Sequence, residues 1–394
     1  MSDTERKALI AMSGGVDSSV AAYLMKEKGY SPIGVTMMLH EYDEVAASSP
    51  YSCCTPDDIE DARVVSSQLG IPFHAVNFME GFNEKIIDKF IRTYLDGETP
   101  NPCIDCNKYM KFGKLFEMAE EEGCEKVVTG HYARVEQGVD EKGNEIYRLK
   151  RGVDRTKDQT YVLYFLTQEQ LKILDFPDGD YEKTEIREIA EKQGLPVAGK
   201  HDSQDICFVP DGDYAGYIEK NGRSQMKEKG VTLEDKEGLF LDMEGHILGQ
   251  HKGYFHYTIG QRKGLGISAA APLYVVDIIP ETNHVILGSN DDLFTRRVDA
   301  KDFNLISLPG ADMIISQMSK EELDGVDLSE DDLLLRITAK VRYRAQDTPG
   351  IIIIRKDGTA TMIFDEPVRA VTPGQSLVIY DGEYCLGGGI IIRR

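Results

Sequence analysis

The chain is 394 residues long, 41% hydrophobic and 28% charged, with a formal net charge of −22. That length buries a sizeable core in two or three domains and, with this composition, excludes a disordered or fibrous protein. The acidic excess excludes indiscriminate binding to polyanions, because the mean field repels phosphate.

A specific nucleic-acid partner would need a local basic cluster. Residues 245–270 supply one: no acid, with Lys252, Arg262, Lys263 and three histidines. No apolar run approaches the roughly 18–20 residues that span a bilayer, so no membrane partner is expected. The first residues, MSDTERKALIAM, show neither an apolar signal core nor an Arg-rich, acid-free helix, which predicts a cytoplasmic protein. Seven cysteines at irregular spacing do not form a disulfide framework and are expected as reduced thiols.

KALIAM (7–12) is a short apolar strand, and 18–28 carries helical spacing that ends at Gly29. PIGVTMML (32–39) is the next strand. Thr55-Pro56 opens a helix that ends at Gly70: Thr suits the N-cap, Pro the first turn, and Asp57, Asp58 and Glu60 complement the dipole. PFHAVNF (72–78) is a third strand, 82–95 and 107–122 are helices, and EKVVTG (125–130) is a further strand. Strands alternating with helices predict an α/β domain over 1–210, a doubly wound parallel sheet with right-handed crossovers. Residues 211–272 are rich in Gly and charge, with short strands in GLFLDMEGHILG and GYFHYTIG. From 273 to 394 short strands alternate with turns, KDGT and YDGE among them, which predicts a C-terminal β-barrel or sandwich.

Between the first strand and the first helix lies AMSGGVDSSV (11–20). Adjacent glycines allow a tight turn that presents N–H groups to an anion, and the helix adds its dipole. Ser13, Ser18 and Ser19 add hydroxyls. The stretch lacks both the G-K-[ST] ending of a Walker loop and the G-x-G-x-x-G of dinucleotide binders. Asp17 in a phosphate loop is repulsive unless a metal bridges it or it caps the turn, which implies Mg2+.

Residues 99–112, TPNPCIDCNKYMKF, carry a C-x-x-C. A metal clip, a redox pair and a sulfur-handling site are all open to such a pair. Zinc would need a second ligand pair, and no other C-x-x-C or H-x-x-H exists in the sequence. Cys53 and Cys54 precede a helix cap and are expected to be structural; Cys124 and Cys385 are expected in the core.

SGGVDSS resembles the pyrophosphate loop of the N-type ATP pyrophosphatases, the PP-loop superfamily. Together with TPNPC..CNKYMKF, VVTGHYAR (127–134), KDQTYVLYFL (157–166), HDSQDICFVP (201–210), YTIGQRKGLGI (257–267) and TPGQSLVIYDGEYCLGGGII (372–391), it closely resembles the tRNA-specific 2-thiouridylases. The resemblance runs over nearly the whole chain. It implies a PP-loop domain, a small central tRNA-binding domain and a C-terminal β-barrel. ATP would be held by Ala11, Met12, Ser13, Gly14, Gly15, Val16, Asp17 and Ser18, with Met37 and Gly130 near the adenosine. Cys106 matches the nucleophile and Cys207 the persulfide carrier. Asn101, Pro102, His131, Lys157, Asp158, Gln159, Arg342, Tyr343 and Gln375 match tRNA contacts. The partners implied are the tRNA anticodon arm and a sulfur donor: a cysteine desulfurase, a relay protein or sulfide.

The implied chemistry is adenylylation of the wobble-uridine C2 oxygen, then sulfur attack on a base drawn out of the stack. Lys108, Lys111 and a helix N-terminus near Cys106 would favour its thiolate. One position departs from the family. Many members carry an acid/base aspartate where this chain has Cys103; Asp105 is a nearby acid, but an extended loop would aim it elsewhere. Cys103, Cys106 and Cys207 match the three-cysteine set with which related thiolases hold a 4Fe–4S cluster. Two other readings stay open: a PP-loop ligase acting on a small molecule, and a non-enzymatic sulfur or Fe–S carrier.

Overall fold

A computed structural model describes residues 5–39, 55–140, 143–201, 206–209, 211–231, 236–308, 313–315, 318, 323 and 325–394. Cys53 and Cys54 lie outside these. The chain forms two compact units: Met1–Ile87, Pro102–Gly212 and Glu383–Leu386 in the first, Asp88–Asn101, Asp213–Gly382 and Gly387–Arg394 in the second.

The first unit is built on β1 (Lys7–Ala11), β2 (Ser31–Met38), β3 (Phe73–Asn77), β4 (Lys126–Val128) and, after the β5 (Ala133–Val139) and β6 (Glu145–Arg151) hairpin, β7 (Leu174–Asp175). The five strands β3-β2-β1-β4-β7 pair in that order, all parallel. Leu9 stands opposite Ile33 on one side and Val127 on the other. Strands covered on both faces become continuous apolar runs, and Ala8 to Ile10 have no exposed surface.

Helices α1 (Val16–Glu27) and α2 (Pro56–Leu69) cover the sheet. Ala21, Ala22 and Met25 of α1 share one core with Ala62 and Val65 of α2. The α2 N-terminus is a capping box: Thr55 accepts from Asp58 N–H at 3.1 Å, while Asp58 Oδ2 accepts from Thr55 N–H at 2.7 Å. Gly70 ends it in the left-handed conformation, φ +66°. Strand order reverses between β1 and β4, and in such sheets ligands bind at the carboxyl ends of the strands flanking that point. The Gly-rich loop after β1 occupies it.

Two expectations are corrected. The β5–β6 hairpin was not foreseen, and residues 384–385 of the last strand extend it by pairing with Leu149 and Lys150. The helix expected from 107 begins at Pro102, with α3 (Pro102–Asp105) running through a π-helical stretch, Cys106–Phe112, into α4 (Gly113–Glu121).

In the second unit β8 (Gly238–Leu241), β9 (Ile247–His251), β10 (Tyr274–Ile279) and β11 (His284–Gly288) make a four-stranded sheet. β12 (Phe294–Leu305), β13 (Ile314–Ile315), β14 (Leu333–Lys340), β15 (Thr348–Ile354), β16 (Ala360–Arg369), β17 (Ser376–Asp381) and β18 (Tyr384–Ile391) follow. The order β12-β16-β15-β14-β17-β18 closes when β18 returns to β12, so this is a barrel and not a sandwich. Gly387 makes the closure possible: its φ is +147°, and a Cβ there would lie 2.0 Å from the Asn304 carbonyl oxygen.

Thr55→Ala removes one half of the capping box and is expected to cost about 1 kcal/mol. Urea unfolding monitored by circular dichroism checks this; an unmoved midpoint would show the cap to be idle.

Candidate active site

The loop after β1 is shaped by its neighbours. Gly14 has φ +72°, and a Cβ on it would stand 2.2 Å from the Asp58 carbonyl oxygen, so only glycine fits against α2. Gly15 caps α1. Ser18 Oγ accepts from Ser13 N–H at 3.1 Å and donates to the Gly15 carbonyl at 3.2 Å, while Ser19 Oγ donates to the same carbonyl at 2.9 Å. Gly130, after β4, stacks on the start of α1: a Cβ there would be 2.7 Å from Ser18 N. Met37, 5% exposed, stands near the end of β2, and Thr36 Oγ1 donates to the Met12 carbonyl at 2.5 Å. The predicted residues of the nucleotide loop thus gather around the strand ends.

Two lysines that the sequence reading missed serve this loop. Lys183, the first residue of α5 (Lys183–Lys192), places Nζ 2.6 and 2.8 Å from the two Asp17 carboxylate oxygens. The Tyr132 hydroxyl donates to Asp17 Oδ1 at 2.9 Å. The charge of Asp17 is therefore met within the chain by Lys183 and Tyr132. Lys200 donates to the Gly14 carbonyl at 3.1 Å and pairs with Asp58 and Asp61. Within range of the Asp17 and Lys183 charges, Asp178 is fully buried, with neither carboxylate oxygen hydrogen-bonded. Burial, and then the charge of Asp17, push its pKa well above the ordinary carboxylate value. No local motif marks these residues, since Lys183 reaches Asp17 and Lys200 reaches Gly14 from more than a hundred residues away.

The cysteine segment is helical and not extended. Cys103 is exposed in the first turn and Cys106, half-buried, begins the next. The helix dipole therefore acts on Cys103 more than on Cys106. At i, i+3 the two thiols share a face, whereas Asp105 lies about 200° round from Cys103. Asn107, 2% exposed, donates from Nδ2 to the Val162 carbonyl at 3.1 Å and fixes this helix to the segment after Gln159. Cys207 is half-buried in a turn closed by Val209 N–H to the Ile206 carbonyl at 2.8 Å.

Both cysteine segments pack on one short helix, Met79–Phe82. The Phe208 ring meets Phe82 edge-on with centroids 5.8 Å apart, and Met110 Cε lies within 3.5 Å of where a Gly81 Cβ would be. Among the described residues, the sulfurs of Cys103, Cys106 and Cys207 do not converge within the 4.8 Å expected of ligands to one ion. Thiolates at separate corners of an iron–sulfur cube do not need that convergence, and three thiols are the donor type such a cluster takes. Cys124 is half-buried and Cys385 buried.

His131 is 7% exposed and packs between Phe112 and Phe176, with Nδ1 2.6 Å from Thr129 Oγ1. Burial, aided by the Lys111 charge, holds its pKa well below the usual histidine value. Lys157, Asp158 and Gln159 form a half-buried turn, where the Asp158 carboxylate accepts from Thr160 and faces Arg151 at 3.7 Å. In the second unit Gln375 Nε2 donates to the Thr99 and Pro100 carbonyls at 3.0 and 3.2 Å, which ties the approach to Asn101 to the barrel. Arg342 bonds the Arg369 and Ala370 carbonyls, and Tyr343 is exposed. Pro102 starts the first unit's cysteine helix. The basic stretch is weaker than its composition implied. His246 pairs with Asp242, His256 with Glu219, and His251 is buried, leaving Lys252, Arg262 and Lys263 exposed.

Comparison with known proteins agrees with this architecture. Residues 6–211 match the family model of the tRNA methyl transferase HUP domain, 230–289 that of the tRNA methyl transferase PRC-barrel domain, and 320–391 that of the aminomethyltransferase beta-barrel domain. The tRNA-specific 2-thiouridylase MnmA of Clostridioides difficile is 48% identical over 386 residues, covering 98% of both chains. That of Clostridium beijerinckii is 45% identical over 387 residues, 98% of this chain and 99% of its own. The chain belongs to the tRNA-specific 2-thiouridylase family. Among solved structures, the U34-tRNA thiolase NcsA of Methanococcus maripaludis with its 4Fe–4S cluster overlaps 57% of this chain and 68% of its own at 20% identity. Its TM-score of 0.32 is too low to carry an argument. No helix among the described residues is long and apolar enough to cross a membrane.

The neutral His131 has a stability consequence. The unfolded imidazole takes a proton near its ordinary pKa of about 6.5, while the folded one resists it until much lower pH. This contribution is full above that value and lost as pH falls through it. Urea unfolding of the wild type and His131→Gln from pH 7.5 to 5.5 should show the wild type losing more stability across the interval. Parallel curves would show that His131 is protonated in the folded state.

Proposed function

We propose that this chain is an ATP-dependent tRNA uridine 2-sulfurtransferase that acts on the wobble position of the anticodon. The observation that carries the reading is one compact unit holding a phosphate loop at the switch point of a parallel sheet together with two cysteine segments packed on a common helix. Full-length likeness to 2-thiouridylases supports the substrate.

The uridine C2 oxygen attacks the α-phosphorus of ATP; the new O–P bond forms as the α–β bridge breaks and pyrophosphate leaves. Sulfur then attacks C2, the C2–O bond breaks, and AMP departs. The carbonyl oxygen, a poor leaving group, has become a good one. Backbone N–H groups at Gly14 and Gly15, the Ser13 and Ser18 hydroxyls and the α1 dipole face the polyphosphate, with Met37 and Gly130 beside the adenosine. Mg2+ is proposed on the phosphates themselves and not on Asp17. Cys106 is the nucleophile and Cys207 the sulfur-carrying thiol. In the alternative form of the sulfur step, Cys103, Cys106 and Cys207 would instead serve together as ligands of a 4Fe–4S cluster, which would supply an open iron for exogenous sulfide. The chain's own part is to hold the two cysteine segments on the helix Met79–Phe82 and keep Cys103 accessible.

Residues 1–210 form the catalytic domain in this reading, while 211–272 and 273–394 hold the anticodon arm through Arg342, Tyr343 and Gln375, with Asn101 as a further contact. Pro102, His131 and Lys157–Gln159 stand on the catalytic side. The sulfur donor is a cysteine desulfurase, a relay protein or sulfide, in the cytoplasm.

The decisive assay follows labelled ATP with and without tRNA. AMP and pyrophosphate should form with tRNA, and tRNA from cells lacking the protein should lose 2-thiouridine; full 2-thiouridine there would end the reading. Cys207→Ser should abolish thiolation and leave ATP affinity unchanged. Anaerobically purified protein should be brown with about four iron per chain; colourless protein, active on a persulfide donor alone, would remove the cluster from the scheme.

A further inference from the structure

Two parts of the proposed reaction, the nucleotide loop and the segment 157–159, are joined by an unbroken run of hydrogen bonds within the first unit. Asp17, in the first turn of α1, accepts from the Tyr132 hydroxyl at 2.9 Å and from Lys183 Nζ at 2.6 and 2.8 Å. Tyr132 is laced to Gln159 by its backbone. Its N–H donates to Gln159 Oε1 at 2.9 Å, and its carbonyl accepts from Gln159 N–H at 3.0 Å. A second limb leaves Lys183, whose backbone N–H donates to Asp154 Oδ2 at 3.2 Å. Asp154 Oδ1 accepts from Thr156 N–H at 2.9 Å and from its hydroxyl at 2.6 Å, and the Asp154 carbonyl accepts from Lys157 N–H at 3.1 Å. Tyr132 is 3% exposed and Asp154 6%, so water competes little for these bonds.

We infer that Tyr132 and Lys183 are positioning residues that couple occupancy of the phosphate loop to recognition of tRNA by residues 157–159. The physical cause is electrostatic. A polyphosphate at the N-terminus of α1 adds negative charge beside Asp17 and drives its carboxylate onto the donors on its far side. That tightens the bonds to Tyr132 and Lys183, and through them the hold on Gln159 and on the Asp154 turn. The tRNA then meets a segment already ordered and loses less conformational freedom on binding. Linkage requires the converse: tRNA must tighten nucleotide binding by the same factor. The sequence reading missed both residues because Tyr132 looks like part of the histidine motif and Lys183 like an ordinary first-turn lysine.

This inference rests on the tRNA-thiolation reading, and one titration separates the two. The affinity of the full-length protein for an anticodon-arm RNA is measured with and without α,β-methylene ATP, which cannot be split. In the wild type the analogue should tighten RNA binding about tenfold. Tyr132→Phe keeps the ring and both backbone bonds to Gln159 and loses only the hydroxyl on Asp17, so the factor should fall to about twofold or less. The reciprocal titration, analogue with and without RNA, should return the same factors. Asp154→Asn weakens the second limb by a different route and should lower the factor too, which keeps the idea testable if Tyr132→Phe folds poorly.

A Tyr132→Phe or Asp154→Asn protein that retains the full factor overturns the inference. A wild type that binds both ligands without coupling does the same. A wild type that binds the analogue but no RNA overturns the thiolation reading and the inference with it.

Discussion

An acid in the first turn of a helix that faces phosphate is a repulsive element, and the Asp17–Lys183 ion pair makes it tolerable here. Lys183 approaches at 2.6 Å from the start of another helix, with Tyr132 as a second donor. Without them, a carboxylate would stand uncompensated beside the polyphosphate in a half-buried setting, where charge is screened less than in water. The pair also explains the state of Asp178. A second ionised carboxylate beside Asp17 would compete for one lysine, so burial and the Asp17 charge together push the Asp178 pKa well above the ordinary carboxylate value. The loop has no lysine of its own, yet Lys183 and Lys200 reach it from later segments. The lysines that brace the loop thus come from tertiary structure and not from its motif.

Tight approach does the remaining shaping. Gly14 lets the loop turn against the Asp58 carbonyl, and Gly130 lets β4 end against the first turn of α1. Each excludes a side chain for a steric reason and not for flexibility. The capping box at Thr55 then has two effects. It fixes the start of α2, and with it the position of the Asp58 backbone that defines the floor of the phosphate loop. A local feature of a helix end thereby becomes part of the ligand site.

What was legible in the sequence follows from which signals are local. Thr55-Pro56 with acids behind it specified the start of α2, and Gly70 its end, because cap chemistry is contained in a few residues. The phosphate loop was legible for the same reason. The same N-cap logic applied to Asn101-Pro102 would have started the cysteine helix at Pro102, where the structure puts it. The C-x-x-C drew attention to the thiols and away from the proline. The β5–β6 hairpin was hidden because its strands are rich in charge, ARVEQGV and EIYRLKR, and lack the apolar runs of the parallel sheet. Lys183, Lys200 and Asp178 could not be read at all, since long-range pairing of charges leaves no periodicity. The histidines of 245–270 failed in the opposite sense: composition counted them as basic, whereas Asp242 and Glu219, outside that window, engage two of them.

The helical start at Pro102 changes what can be said of Cys103. On an extended loop its exchange for an acid would be the loss of one catalytic group. In the first turn of a helical run, the position favours whichever group stands there in its anionic form, because the dipole and exposed backbone N–H groups act on it. An aspartate and a thiolate both meet that condition. An aspartate there would offer an oxygen suited to protons, whereas the cysteine offers a sulfur suited to iron or to another sulfur. Cys106 shares its face one turn on, and Cys207 is held by Phe208 on the helix that also supports Met110. The chain thus presents a sulfur in the first turn of this helix, exposed, with a second thiol on the same face.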